Sequence, residues 1–389
     1  MMRIGFICSE YPPDRAGGIG SFTYDLAHKL AEHGHQIWVI GLSDRDAREN
    51  DGPIHIRRIR RAARQQHTYL EAFRDRWRLS RVARQIANQQ ALDVIEAPEY
   101  NGEAAFFHFP KRTRCKLLTR YHGGCTSYAA MKGMNGSRLS RYFEGRTIKS
   151  ADYRISVSRF IEEYTRKSFG KEGRADITIP NFVDTEIFAP VPGMVRDPHL
   201  ILFLGKVSVN KGAPQLFAAL PEIFRQNESA WVELIGPDSY DGPGGTSLLS
   251  HLMGQLDSRW RQRIVYRGAV KREEVQTLYR QAGCCVFPSI AESFCIAAIE
   301  AMACAAAVVV SPIIADGEAV IDGESGYICD PQDRQLLSQR MLWLLEHQES
   351  ARQLGLRARE RVIERFSLPT VVRQNEEFYQ KCVLQEQIR

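Results

Sequence analysis

The chain contains 389 residues with a net charge of +6, and 44% of its residues are hydrophobic and 25% charged. This composition is typical of a globular protein, and the length favours two domains over a single hydrophobic core. No apolar stretch is long enough for a transmembrane helix, and the apolar run Ile4–Cys8 is too short for a signal peptide. Nine cysteines without paired spacing favour a reducing, cytoplasmic location over a disulfide framework or a metal site.

Apolar runs of strand length alternate with amphipathic helical patterns, which predicts parallel sheets covered by helices. The first helix is predicted to begin after Ser21, an N-cap candidate, and to end before Gly34, which suits the position after a C-cap. The strands predicted in the first half are Arg3–Cys8, Gln36–Ile40, Val94–Ala97, Lys116–Arg120, Tyr153–Val157 and Ile177–Ile179.

The segment Arg57–Arg84 contains ten arginines. Arg74, Arg78 and Arg81 share one face of a predicted helix by their spacing. The simplest interpretation is a solvated helix face, and the alternative is a surface that docks on anionic lipid. Nucleic acid is not expected as a partner, because no binding motif accompanies the charge.

Three prolines and a glycine within Phe188–Pro198 predict a linker. Residues 1–190 are therefore interpreted as a first domain and 191–366 as a second, with 367–389 packing back on the first. The strands predicted in the second half are Leu200–Leu204, Trp231–Ile235, Ile264–Tyr266, Cys285–Phe287, Val308–Val310 and Tyr327–Cys329.

Polar residues and glycines follow the predicted strands, where doubly wound sheets bind ligands. Gly17 and Gly18 precede the first helix, so a bare backbone there can approach an anion such as a diphosphate. The alternative is a turn that needs glycine for its geometry alone. His122 follows the strand Lys116–Arg120, where an imidazole can bind a sugar hydroxyl or simply cap the local backbone.

Two lysines and two glutamates follow strands of the second half. Lys206 and Lys211 flank one strand-to-helix loop, where two ammonium groups would neutralise a diphosphate, although each alone also fits a surface lysine. Glu292 lies in a later loop and Glu300 in the next helix, so they could bind hydroxyls on two parts of one ligand, such as a sugar nucleotide. Glu300 lies among apolar residues and needs a partner, either a ligand hydroxyl, Lys211 or a nearby arginine.

Taken in order, these segments resemble retaining glycosyltransferases of family 4, which have the GT-B fold. The resemblance runs from the first strand to the last helix, and it rests on the segments Pro12–Gly20, Leu26–His35, Ile179–Pro190, Gly205–Gly212, Phe287–Cys304 and Asp322–Tyr327. It implies two doubly wound, Rossmann-like α/β domains that face each other across a cleft, with a C-terminal helix that crosses back to the N-terminal domain.

The resemblance also implies a donor site of hydroxyl-binding carboxylates, cations and backbone amides. Its donor-binding residues would be Gly17, Gly18, Val270, Ser293, Phe294, Cys295, Ile296 and Glu300. Its catalytic residues would be His122, Lys206, Lys211 and Glu292. Within this set Glu300 would bind the ribose, Glu292 the transferred sugar, and the two lysines the diphosphate in place of a metal ion.

The chain departs from the family pattern at several positions. Lys206 stands where arginine is usual, and Cys295 stands where glycine is usual. The run Ala305–Ala307 replaces Gly-Thr-Pro. A Gly-Gly pair expected near Ile313–Ala315 is missing, so the resemblance assigns no role to Glu318.

These observations predict a metal-independent, retaining hexosyltransferase that uses a nucleoside-diphosphate sugar. Its acceptor would be a saccharide or a lipid-linked intermediate of cell-envelope polysaccharide or glycolipid synthesis. The expected location is the cytoplasm, and peripheral contact with the inner face of the membrane is the option that the arginine-rich segment leaves open. Two alternatives remain open: a nucleotide-sugar epimerase or phosphorylase-like enzyme of the same fold, and a catalytically silent nucleotide-binding subunit.

Overall fold

The computed structural model describes residues 1–13, 17–62, 69–314 and 319–384. The chain divides into two compact units, one comprising Met1–Pro180 with Val371–Arg389 and the other Asn181–Thr370. Each unit is built on its own sheet, and helices connect most of the strands. Across the described ranges, none of the helices combines the length and the apolar character that crossing a bilayer requires.

Among its described residues, the first unit contains eight strands and five α-helices before the chain leaves it. The strands are β1 (Arg3–Ile7), β2 (Gln36–Ser43), β3 (Ala47–Asp51), β4 (Ile54–Arg60), β5 (Val94–Pro98), β6 (Lys116–Tyr121), β7 (Tyr153–Ser156) and β8 (Ile177–Thr178). The helices are α1 (Gly18–Glu32), α2 (Tyr69–Gln89), α3 (Cys125–Met131), α4 (Arg138–Ser150) and α5 (Arg159–Phe169).

The strands of this sheet lie in the order β3-β4-β2-β1-β5-β6-β7-β8. Strand β3 pairs antiparallel with β4, and the other neighbours are parallel. The chain starts in the middle of the sheet, builds outward through β2, and then returns to add β5 on the other side of β1. Ligands of open α/β sheets bind beyond the carboxyl ends of the strands at such a reversal.

Strand β3, at the edge of the sheet, and its neighbour β4 are absent from the sequence-based prediction. Strand β4 carries three arginines, which obscure the buried positions Ile54, Ile56 and Ile59. Its Arg58 is itself buried, because it pairs with Glu49 and donates hydrogen bonds to two backbone carbonyls. The beginning of the arginine-rich segment therefore lies in strand β4, next to the edge of the sheet.

The beginning of helix α1 also differs from the prediction. The N-cap is Gly17 and not Ser21, and the helix begins at Gly18. The predicted end is confirmed, since the C-cap His33 is followed by Gly34 with a φ of 86°. Only a residue without a Cβ adopts that left-handed conformation without strain.

In the second unit, the part of the chain that the structure describes forms six strands and seven α-helices. The strands are β9 (Asp197–Leu204), β10 (Trp231–Ile235), β11 (Ile264–Gly268), β12 (Ala282–Phe287), β13 (Val308–Val310) and β14 (Tyr327–Ile328). The helices are α6 (Ala213–Gln226), α7 (Leu248–Gln255), α8 (Ser258–Arg261), α9 (Arg272–Gln281), α10 (Ile296–Ala303), α11 (Arg334–Glu346) and α12 (Gln348–Phe366).

The second sheet is entirely parallel, with the order β11-β10-β9-β12-β13-β14. The six strands predicted for this half are all present, with boundaries that differ by a few residues. The order reverses between β9 and β12, so the loops that follow these two strands lie side by side at the carboxyl edge.

The C-terminal helix α13 (Leu368–Leu384) belongs to the first unit from Val371 onward, as predicted. A buried polar network holds it there. Arg120 on β6 donates two hydrogen bonds to Glu96 on β5, at 2.6 and 2.9 Å, and a further one to Asn375 of the helix. The hydroxyl of Tyr379 donates to the same carboxylate at 2.7 Å. The buried charges are thereby paired and hydrogen-bonded, which buried ions require.

Candidate active site

Two loops of the second unit are joined by their backbones. Gly212 is the N-cap of α6 with a φ of 74°, and a Cβ at this position would overlap the carbonyl oxygen of Pro288. The carbonyl of Asn210 accepts hydrogen bonds from the N–H groups of Ile290 and Ala291, at 2.8 and 3.2 Å. The loop after β9 and the loop after β12 therefore form one surface, and glycine at this position allows their close approach.

This junction brings two of the predicted residues together. The ammonium of Lys211 forms an ion pair with Oε2 of Glu292, and the side chains are 30% and 11% exposed. The other carboxylate oxygen of Glu292 accepts the backbone N–H of Ser293 at 3.0 Å. Lys206, which leaves the end of β9, is exposed and forms no ion pair with another described residue. Two cations thus lie on one strand-to-helix loop, where they can neutralise a bound anion.

Glu300 is half-buried on helix α10 and is held by a tyrosine. The hydroxyl of Tyr279 donates to Oε2 of Glu300 at 3.2 Å. Tyr279 is fully buried, and burial and the neighbouring Glu300 carboxylate raise its pKa well above the ordinary value. The hydroxyl therefore remains protonated and can keep donating. Sequence reasoning considered Lys211 or an arginine as the partner of Glu300 and missed this tyrosine, which lies 21 residues earlier.

The turn that leads into α10 is unusual. Cys295 is the N-cap with a φ of 61° and a ψ of 69°, between the buried Phe294 and the first helical residue, Ile296. A residue with a Cβ in this left-handed conformation costs about 1–2 kcal/mol. Ala305 has a φ of 57°, so Cys295 and Ala305, which both stand where the resemblance expects glycine, are left-handed in this chain. Burial, and then the Glu292 carboxylate, raise the pKa of the Cys295 thiol to about 12, which leaves it protonated and unreactive at neutral pH.

Val270 lies beyond the end of β11, immediately before helix α9, whose N-cap is Lys271. Because the sheet is parallel, this position is at the same edge as the loops after β9 and β12. The candidate residues of the second unit therefore share one edge of one sheet. Glu318 lies outside the described residues.

In the first unit the glycines after β1 have separable roles. A Cβ on Gly17 would overlap the carboxylate of Glu10, and one on Gly20 would overlap the carbonyl of Glu10. These two glycines are thus needed for packing within the chain. For Gly17 this agrees with the alternative interpretation, in which the turn needs glycine for its geometry alone. A Cβ on Gly18 would meet nothing within 4 Å. Gly18 therefore leaves open space at the N-terminus of α1, where helix dipole and free N–H groups favour an anion.

His122 lies in the loop after β6 and is held by a buried carboxylate. Oε2 and Oε1 of Glu99 accept the backbone N–H groups of His122 and Gly123, at 2.9 and 2.8 Å. The imidazole packs edge-on against Phe22, with ring centroids 5.3 Å apart. Burial, and then the nearby Arg120 charge, lower the pKa of His122 to about 3. The ring is therefore neutral at physiological pH and can exchange hydrogen bonds with a hydroxyl without carrying charge.

Sequence reasoning missed the buried acids that shape this loop. Burial raises the pKa of Glu99 to about 7 despite the backbone hydrogen bonds, which oppose the shift. Glu144 on α4 likewise accepts the N–H groups of Cys125 and Thr126 at the start of α3, at 2.8 and 3.0 Å. The signal for Glu99 was present, because it stands two residues after the predicted strand Val94–Ala97. Glu144 carried no such signal, since it lies inside a helix.

Two family models match consecutive parts of the chain. The model described as Glycosyltransferase Family 4 matches residues 16–187, and the model described as Glycosyl transferases group 1 matches residues 184–361. Together they extend over both units described above.

Whole-length relatives agree with these matches. The glycogen synthase of Mycobacterium tuberculosis is 25% identical over 415 residues, which cover 97% of this chain and 94% of that protein. The structure is similar to that of sucrose-phosphate synthase from Thermosynechococcus elongatus, with a TM-score of 0.81, 22% identity, and coverage of 98% and 99%. It is also similar to Anabaena HepE in complex with UDP-glucose, with a TM-score of 0.74, 17% identity, and coverage of 98% and 100%.

Proposed function

The chain belongs to the family 4 glycosyltransferases and has the GT-B fold, and on that premise we propose that it transfers a hexose-type sugar from a nucleoside-diphosphate sugar with retention of configuration. One observation carries this proposal. Lys206, the Lys211–Glu292 pair and Glu300 all follow β9 or β12, the two strands between which the strand order of the second sheet reverses.

Each of these groups suits one part of a sugar nucleotide. Glu300 has one oxygen on Tyr279, and a carboxylate accepts further hydrogen bonds, which suits the vicinal hydroxyls of a ribose. Glu292 can bind sugar hydroxyls while Lys211 neutralises part of its charge. Lys206 and Lys211 would stabilise the diphosphate as it departs, which supports a reaction without a metal ion. The complex of Anabaena HepE with UDP-glucose supports the same class of donor here.

The proposed acceptor is a saccharide or a lipid-linked saccharide. Helix α2 supports a contact with anionic membrane, because it exposes large apolar side chains beside its arginines. Leu70, Phe73 and Trp77 are 82%, 44% and 40% exposed, and Arg74 and Arg81 are exposed with them. Aromatic and basic side chains on one amphipathic helix are typical of interfacial binding.

The membrane contact is tested by reversing the charge of Arg74 and Arg81 together. The double Arg→Glu variant should lose binding to vesicles of phosphatidylcholine and phosphatidylserine, whereas the same change at the exposed Arg272 and Arg334 of the second unit should not. Equal binding by the two variants would refute the contact.

The transferase proposal is tested with purified protein and a panel of UDP-glucose, ADP-glucose, GDP-mannose and UDP-N-acetylglucosamine. At least one donor should raise the melting temperature and be hydrolysed slowly without an acceptor. Glu300→Gln should weaken binding of that donor by about 10- to 100-fold, the equivalent of one charged hydrogen bond. Glu274→Gln, on the exposed face of α9, is the matched control.

Several results would overturn this function. A protein that binds none of the donors, or in which Glu300→Gln binds as tightly as the wild type, does not use this edge for a sugar nucleotide. A donor that binds without turnover would favour the silent subunit. Epimerised donor in the absence of any acceptor would favour the epimerase. The anomeric configuration of the product, read by proton NMR, tests retention, and activity in excess EDTA tests independence from metal ions.

A further inference from the structure

The first unit contains a groove that the proposed reaction does not use. It encloses about 430 Å³ between the second half of helix α2 and the sheet strands β2, β3 and β4. Its lining residues come from the beginnings of β2 and β4, so it lies toward the amino ends of these parallel strands. The antiparallel strand β3 is the edge of the sheet on this side, and it contributes Arg48, Glu49 and Asn50 to the lining.

The floor of the groove is a row of three side chains across three strands. Trp38 on β2 pairs in register with His55 on β4, and His55 pairs with Asn50 on β3. The indole and imidazole centroids are 5.4 Å apart, with the rings inclined by 33°. Such a row spans two strand spacings, about 10 Å. The two rings lie side by side, with His55 exposed and Trp38 partly buried against the core of the first unit.

Polar side chains surround this floor. Oδ1 of Asn50 lies 3.0 Å from Nδ1 of His55, which favours the tautomer that leaves Nε2 as an acceptor. Gln85 and Gln89 are one helical turn apart on α2, and both are exposed. Within the described part of the chain, neither glutamine side chain is hydrogen-bonded, so both amides can donate to and accept from a bound molecule.

The charge of the lining is largely neutralised by the protein itself. Arg57 donates to the carbonyl of Ala47 at 2.9 Å and pairs with Asp46. Glu49 pairs with Arg58 at 2.9 Å. Arg48, which lies opposite Arg57 in register, is exposed and forms no ion pair with another described residue. A phosphate or diphosphate would need several uncompensated donors, and this groove supplies one such cation. The chemistry favours an uncharged ligand with an apolar face and a rim of hydroxyl groups.

We propose that this groove binds a neutral oligosaccharide. The C–H faces of sugar rings pack on Trp38 and His55, and the hydroxyls exchange hydrogen bonds with Gln85, Gln89 and Asn50. The row of Trp38, His55 and Asn50 spans about 10 Å, which suits a chain of sugars better than a single ring. Binding a long acceptor at this second point would raise its effective concentration near the site of transfer. That consequence rests on the proposed function, whereas oligosaccharide binding to the groove does not.

The test is direct binding by the full chain, measured by calorimetry with maltohexaose, cellohexaose, mannohexaose and xylohexaose at concentrations up to millimolar. At least one should bind without any nucleotide present. The double variant Gln85→Ala, Gln89→Ala should bind it about 30-fold more weakly, the loss of two neutral hydrogen bonds. Its melting temperature should not fall, because alanine is the better helix former.

The matched control is Gln335→Ala with Gln353→Ala, which changes two exposed helical glutamines of the second unit and should leave binding unchanged. The proposal is wrong if none of the four oligosaccharides binds, or if the Gln85 and Gln89 variant binds as well as the wild type. Failure here leaves donor binding and turnover intact, so it is distinguishable from failure of the transferase function.

Discussion

Replacing Gly212 by alanine probes the contact on which the candidate active site is built. At a φ of 74° the new Cβ costs about 1–2 kcal/mol in backbone strain. It also overlaps the carbonyl of Pro288, and overpacking of this kind costs about 1–3 kcal/mol. The stability of the second unit should therefore fall by about 2–5 kcal/mol, because the loop that carries Glu292 must move away from α6.

Gly323 offers a matched control in the same unit. Its φ is 72°, and a Cβ there would meet nothing within 4 Å. Gly323→Ala therefore carries the strain without the overlap, and part of that strain is offset by about 0.4–1 kcal/mol from the lower entropy of the unfolded chain. The difference between the two variants isolates the steric contact.

The assay is urea denaturation monitored by intrinsic fluorescence. It compares the urea concentration at the midpoint of the same unfolding transition in the two variants. Gly212→Ala should unfold at a clearly lower urea concentration than Gly323→Ala. It should also lose the melting-temperature rise caused by whichever donor the wild type binds, while Gly323→Ala retains it. Equal midpoints would show that the loops after β9 and β12 are not held together by this contact, and the reasoning about the site would fail.

Three further predictions concern buried groups. Cys295→Gly should be more stable than Cys295→Ala by up to about 1 kcal/mol in the same denaturation assay, because both lose the thiol but only alanine retains the left-handed strain; the opposite order would contradict the assigned backbone conformation. Arg120→Met should destabilise the first unit by about 3–5 kcal/mol, because it leaves the carboxylate of Glu96 buried without its cation; adding Glu96→Gln should recover part of that loss, and no recovery would show that the pairing is not the cause. Glu99 holds its proton more tightly in the folded than in the unfolded state, since its pKa is raised from 4.5 to about 7, so it contributes stability at low pH that is lost as the pH rises through 7. The free energy of unfolding of Glu99→Gln should therefore rise relative to that of the wild type by up to about 3 kcal/mol between pH 4.5 and 8. A difference in the free energy of unfolding that does not change with pH would disprove the shift.

Much of the fold could be predicted because its signals are local. Each strand of the second unit is a short apolar run that its own residues specify, and the alternation of strands with helices predicts parallel sheets. Glu292 and Glu300 are recognisable from their place after a strand and inside the next helix. Strand β4 was not recognisable, because its arginines conceal the inward positions and its burial depends on partners such as Glu49, which lies on a different strand.

The sequence by itself determined the order of the elements, the family, and which residues follow the carboxyl ends of the strands. All three depend on spacing along the chain. Only the tertiary structure decided which of those residues meet. The pairing of Lys211 with Glu292 joins positions 81 residues apart, and Tyr279 reaches Glu300 from a neighbouring helix. The left-handed turn at Cys295 and the buried carboxylate under His122 likewise depend on packing. Such contacts arise from the register of strands and the approach of loops, which no local pattern encodes.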